Sequence, residues 1–144
     1  GGVLTMPVQY LLDTNALSEL VRRPHGLIAQ KISDIGEDAV CTSIVVSCEL
    51  RFGAKKSRSA RIAHHVEAIL SALQILPLHP PVDAHYADIR LLLEKEGQPI
   101  DPNDMLIAAH ARSRNLSVVT SNWKEFQRVP GLEVVNWLDA SPKD

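Results

Sequence analysis

The sequence predicts an α/β domain, a three-layer α/β/α sandwich around a mainly parallel central sheet. Three observations carry that expectation. Short, nearly continuous apolar runs such as Val8-Gln9-Tyr10-Leu11-Leu12 have the character of central parallel strands. They alternate along the whole chain with segments of helical periodicity, the pattern of a parallel sheet covered on both faces. The 144 residues are 45% apolar and 22% charged, without repeat, linker or low-complexity tract. That length and composition suit one globular domain, burying roughly two-thirds of the chain's surface on folding.

The first strand runs from Val8 to Leu12 and stops at Asp13. A short helix is expected from Asn15 to Arg22, broken by Pro24, and another from Gly26 to Ile35, ended by Gly36. Ala39 to Thr42 reads as the second strand. Ser43 then caps a helix reaching about Lys55. A long helix from about Ser59 to Leu73 carries Ile62, Val66, Ile69, Leu70 and Leu73 on one face. Gln74 to Leu78 is the third strand. Pro80-Pro81 starts a helix that ends at Gly97. Pro102 opens another, from about Asn103 to Arg114. Ser117 to Thr120 is the fourth strand. A short helix near Lys124 and a strand from Leu132 to Val135 follow. Gly1-Gly2 reads as a remnant of tag cleavage, so residues 1–7 are set aside. The domain is expected over residues 8–138, with 139–144 as a frayed tail.

Composition narrows the function. A formal net charge of −2 excludes a strongly basic nucleic-acid coat, though not a local basic patch. The two cysteines, Cys41 and Cys48, have neither disulfide-framework nor zinc-site spacing. No transmembrane helix or secretory signal fits, and a reducing cytoplasmic setting is the default expectation.

Most charges read as solvated helix faces; Arg90 and Glu94, for example, can pair across one turn. Three acids differ. Asp13 stands at the carboxyl end of the first strand, the edge where open α/β sheets bind ligands. Glu49 has Val45, Val46, Phe52 and Gly53 as its helical neighbours, none of them basic. Asp104 begins the apolar run Met105-Leu106-Ile107-Ala108-Ala109. Each has an ordinary reading. Asp13 and Asp104 can cap the helices that follow them, and Glu49 can reach the helix edge. Together they point to a site, because neighbouring buried carboxylates must be protonated or neutralised. A hard divalent cation neutralises them through oxygen ligands and supports phosphodiester hydrolysis.

Four segments resemble the motifs of PIN-domain nucleases. They are Tyr10-Leu11-Leu12-Asp13-Thr14-Asn15; Ser43 to Gly53, with Glu49 and a trailing Gly; Pro99 to Ala111, with Asp104; and Val119-Thr120-Ser121-Asn122-Trp123-Lys124-Glu125-Phe126. The Val129-Pro130-Gly131-Leu132 to Asn136-Trp137 tail is similar as well. The likeness spans about Val8 to Leu138 and is nearest to the VapC toxins of bacterial toxin–antitoxin pairs. It implies a PIN-like fold and an Mg²⁺- or Mn²⁺-dependent endoribonuclease toxin. It also implies a homodimer, neutralised by a VapB-like antitoxin.

By position, Asp13, Glu49 and Asp104 match the family's acidic metal-site residues. Asn122 falls where many relatives carry a fourth acid, so a second metal would be held weakly. Thr14 and Asn15 are expected to orient Asp13 or a water, and Thr120 to act likewise near Asn122. Asp101 departs from the pattern, where glycine is common, and reads as a surface or supporting residue. His110 reads as a structural histidine, and His64-His65 as surface.

An RNA substrate needs positive charge. Arg51, Lys55 and Lys56 lie soonest after Glu49, and Trp123 is the best candidate for a base contact, with packing on the last strand as its alternative. Only 4% of residues are aromatic, which argues against a broad stacking platform. Besides a DNA nuclease or DNA-binding regulator, for which no helix-turn-helix pattern is evident, two rival functions remain open at this level. One is a catalytically silent interaction module on the same fold. The other is an aspartate-based phosphotransfer protein, for which Asn15 stands where a second Asp is usual.

Overall fold

The computed structural model describes residues 7–138. Residues 1–6, within the expected tag remnant, and the expected tail at 139–144 lie outside the described residues. Five strands form one sheet: β1 (Tyr10–Leu12), β2 (Val40–Ser43), β3 (Gln74–Leu76), β4 (Ser117–Val119) and β5 (Val134–Val135). Their order is β3-β2-β1-β4-β5 and every pairing is parallel, where the sequence led us to expect a mainly parallel sheet. The helices are α1 (Thr14–Arg22), α2 (Leu27–Ile35), α3 (Ile44–Ser57), α4 (Ala60–Ala72), α5 (Val82–Lys95), α6 (Pro102–Ser113) and α7 (Trp123–Phe126). No helix among the described residues is long and apolar enough to cross a membrane.

The chain crosses from β1 through β2 to β3 in one direction, then returns past β1 to β4 and β5. Right-handed crossovers therefore put α1–α4 on one face and α5–α7 on the other. The packing agrees: α3 lies on α4 and α1, while α5 lies on α6. Leu11, Leu12, Cys41, Val118 and Val119 form the buried middle layer, with Leu17, Val46, Ile107 and Phe126 packed over it.

Most helix starts were legible because their caps are. Ser43 Oγ accepts the Val45 N–H at 3.1 Å, and Ser59 Oγ accepts the Ile62 N–H at 3.2 Å. Strand ends were less so. β3 stops at Leu76 rather than Leu78, because Pro77 has no N–H to give the ladder. The first strand begins at Tyr10, although Gln9 still donates to the Ala39 carbonyl at 2.9 Å. The last strand shrinks to Val134–Val135. A single 3₁₀ turn at Glu37–Ala39, absent from the sequence reading, follows Gly36, whose φ of +99° favours glycine.

Register fixes what stands at the carboxyl edge. Leu12 pairs with Thr42 on one side and Val119 on the other. The next residues, Asp13, Ser43 and Thr120, therefore form a row across three strand ends. The Thr42 hydroxyl donates to the Leu12 carbonyl at 2.7 Å, and the Asp13 N–H donates to the Val119 carbonyl at 3.1 Å. Beside this row His110, only 1% exposed, places Nδ1 2.8 Å from Ser43 Oγ. A satisfied structural histidine was expected; His110 is buried and bonded at Nδ1, but its Nε2 lacks a hydrogen-bond partner among the described residues.

Ser43 thus serves two buried roles, whereas Ser59 serves one at the surface. Ser59→Ala should cost about 1 kcal/mol. Ser43→Ala should cost about 2–4 kcal/mol, a cap plus a buried imidazole left without its partner. Urea denaturation of both variants checks this; equal losses would refute the His110 contribution.

Candidate functional site

The edge between β1 and β4 is where successive crossovers turn to opposite faces, and such a switch point opens a crevice above the sheet. Asp13 sits at this edge, 2% exposed. It is both a cap and a site residue. Its Oδ1 accepts the Ala16 N–H at 2.9 Å, starting α1. Burial nevertheless pushes its pKa up to about 6; hydrogen bonds from the Thr120 hydroxyl and the Ala16 and Asn15 N–H groups pull it down, and the charge of Glu49 raises it further.

Asp104 enters from α6. It is not the cap of that helix. Pro102 occupies the first helical position and Asp101 is the cap, its Oδ1 accepting the Asn103 N–H at 2.8 Å and the Asp104 N–H at 3.4 Å. Asp104 is left to face the other acids. Burial raises its pKa to about 7, helped by the charges of Asp101, Asp13, Glu125 and Glu49. The charges that move Asp104 most are all negative.

Glu49, half-buried on α3, is held from two sides. The Thr14 hydroxyl donates to Oε1, and the Asn103 amide donates to Oε2 at 3.1 Å. Thr14 therefore orients Glu49, where the sequence reading assigned it to Asp13 or a water. Asn15 reaches Asp13 through its backbone N–H, its side chain being exposed. Thr120 Oγ1 accepts the Asn122 N–H at 2.8 Å, so the Thr120 hydroxyl ties Asn122 to Asp13. Asn122 caps α7 without a side-chain hydrogen bond to that helix.

Sequence reasoning missed Asn103 and Glu125 as members of this cluster. Glu125 lies one helical turn after Asn122, a spacing that was visible; that its charge reaches Asp104 on α6 was not. The basic residues divide. Arg51 is paired with Glu67 on α4. Lys55 and Lys56 are exposed in the last turn of α3, Lys56 two turns beyond Glu49 on the same face. Trp123 is 42% exposed at the start of α7.

Does this donor set suit a divalent cation? Its chemistry does: carboxylate oxygens are the ligands hard cations take, and mutual repulsion is what a cation relieves. The arrangement is not a closed shell, since no three or more His, Cys, Asp or Glu side chains among the described residues converge closely enough to hold an ion. Glu49, tethered by Thr14 and Asn103, is the charge that acts on Asp13, and both Asp13 and Glu49 act on Asp104.

Comparison with known proteins places this geometry in context. Residues 10–132 match the PIN domain family. Ribonuclease VapC2 of Haemophilus influenzae is 38% identical over 133 residues, covering 91% of this chain and 99% of the relative. The tRNA(fMet)-specific endonuclease VapC of Salmonella typhimurium is 34% identical over 131 residues, covering 90% and 98%. A crystal structure of VapBC2 from Rickettsia felis, bound to a DNA fragment from its promoter, contains a chain that superposes with a TM-score of 0.85. That chain is 30% identical, with 90% of this chain and 99% of its own length covered.

The raised pKa values predict how stability depends on pH. A carboxyl whose pKa is higher folded than unfolded is stabilising while protonated, and that stability is lost as pH rises through the folded value. Without metal, the chain should lose stability between about pH 4 and pH 7. Asp104→Asn should lose less and be more stable than the parent at pH 8 by on the order of 1–3 kcal/mol. The two should converge near pH 4. Thermal unfolding in EDTA across this range tests it; a parental advantage at pH 8 would contradict the electrostatics.

Proposed function

The chain belongs to the PIN-domain family, and from that premise we propose that it is a divalent-metal-dependent endoribonuclease toxin of the VapC type. The observation that carries the proposal is buried Asp13 and half-buried Asp104, raised to about 6 and about 7, with no salt bridge to either among the described residues. Two carboxylates held at the switch-point crevice and short of positive charge suit a cation far better than they suit folding alone. Asp13 and Asp104 would hold the Mg²⁺ or Mn²⁺. Bound there, the cation would generate a hydroxide-like nucleophile from water and neutralise charge on the scissile phosphate.

The remaining residues prepare that chemistry. Thr14 and Asn103 fix both oxygens of Glu49, so its carboxylate can orient a water or reach the cation without rotating away. Thr120 steadies Asp13 and, through the Asn122 N–H, the turn that presents the Asn122 amide. A neutral amide there adds no further charge to the acids and weakens the hold on any second cation. Lys55 and Lys56 supply phosphate contacts along α3. The relatives named as VapC ribonucleases support RNA as the substrate. The Salmonella enzyme's name makes a transfer RNA the first to try. The Rickettsia complex supports a VapB-type partner that neutralises the activity. Asn15, where the phosphotransfer alternative would usually have a second Asp, speaks against that alternative.

The test is incubation of purified, partner-free protein with a transfer-RNA pool and Mg²⁺. Discrete cuts should appear and should vanish with EDTA. Asp104→Asn should lower the rate by about a hundredfold or more, and Asn103→Ala by about ten- to a hundredfold through loss of Glu49 orientation. Cleavage that survives EDTA, or parental rates in Asp104→Asn, would overturn the proposal.

A further inference from the structure

A second cavity lies across α7 from the acids. Glu125 faces Asp104, whose pKa it raises. Trp123 and Gln127, one helical turn apart, instead line a cavity of about 380 Å³ with Leu132, Val134 and Asn136. That volume falls in the ~300–1,000 Å³ range of small-ligand pockets. The cavity opens where α7 meets β5, the edge strand of the sheet.

Its lining has a particular chemistry. Phe126 anchors α7 in the core at 0% exposure, so Trp123 is not needed for that purpose and remains 42% exposed. The chain's other tryptophan, Trp137, is half-buried against Tyr10, with ring centroids 5.1 Å apart. Asn136 Oδ1 accepts the Leu138 N–H at 2.9 Å, which fixes the amide and leaves its NH₂ free to donate. Gln127 adds an amide that can donate or accept. Lys124 lies within the same short helix and Arg128 two residues after it; both are exposed, Arg128 donating to the Pro99 carbonyl at 3.4 Å. An aromatic face, two amides and adjacent cations are the groups that bind an unpaired nucleobase and its phosphates.

The cavity is also coupled to the acids by chain geometry. Thr120 stands beside Asp13 across the adjoining strand ends, the Asn122 N–H donates to Thr120 Oγ1, and Trp123 follows directly. We infer that this cavity is a nucleobase subsite, taking one unpaired RNA base close to the scissile phosphate, stacked on Trp123 and read by Gln127 and Asn136. The inference rests on the ribonuclease reading and gives it a source of sequence preference.

Binding of short single-stranded homopolymeric oligoribonucleotides tests it without cleavage. The measurement uses fluorescence anisotropy on Asp104→Asn protein, which should not cleave the probe. Adding Trp123→Ala should weaken binding about 5- to 100-fold, the loss of one stacked base. Trp123→Phe should stay within a few-fold of the background protein. Asn136→Asp, which replaces a donor with an acceptor, should change the order of preference among the four homopolymers. If the Ala and Phe variants both bind as tightly as the background protein, the subsite is wrong while the ribonuclease reading stands. Equal losses in both, with matching losses of thermal stability, would make Trp123 structural and also overturn the inference. Failure of the parental chain to bind RNA at all would overturn the subsite and the ribonuclease reading together.

Discussion

The structure depends on an unfavourable interaction. Asp13 lies at the end of the central strand with nearly all its surface removed from water, and Asp104 is brought to the same crevice with Glu49, Asp101 and Glu125 around it. In an ordinary core these positions would be apolar or paired, because an isolated buried carboxylate is costly. Here the fold tolerates the repulsion and holds it in place. The Ala16 and Asn15 N–H groups and the Thr120 hydroxyl partly solvate Asp13. The Asp101 cap anchors the first turn of α6, and Thr14 with Asn103 restrains Glu49. The sheet supplies the rigidity, since the level register of β1, β2 and β4 fixes Asp13 between Ser43 and Thr120.

This arrangement separates stability from activity. The carboxylates weaken the metal-free fold, and the compensation comes from groups around them: capped helices, the Ser43–His110 contact and the apolar middle layer. A toxin of this kind needs no preformed closed shell of ligands. The proposed cation would leave positions for water and a substrate phosphate beside Asp13, Asp104 and the doubly tethered Glu49, ligands that Mg²⁺ characteristically keeps.

Much of this was legible in the sequence, for local reasons. Ser43 and Ser59 are side-chain caps, and the parallel character of β1 follows from an apolar run ending in Asp13. The three acids stood out because their helical neighbours are apolar. Pro102 carried a signal that was underused: proline at the first helical position makes the residue before it the cap, which assigns Asp101 to capping and frees Asp104. What could not be read depends on distant contacts. Asn103 bonds Glu49 across 54 positions, and Arg51 is paired with Glu67 across 16, so one residue joins the site and another is withdrawn from the free cations. Strand order, which places the switch point between β1 and β4, has no local signature.

The central claim is that the Asp13–Asp104 pair is built for a divalent cation. Calorimetric titration of Mn²⁺ into the chelator-stripped protein at neutral pH tests it most directly, with Asp13→Asn and Asp104→Asn alongside. The parent should bind Mn²⁺ with a measurable heat, and either substitution should remove that binding while the protein stays folded. Absence of binding in the folded parent, or equal binding in all three proteins, would contradict the claim.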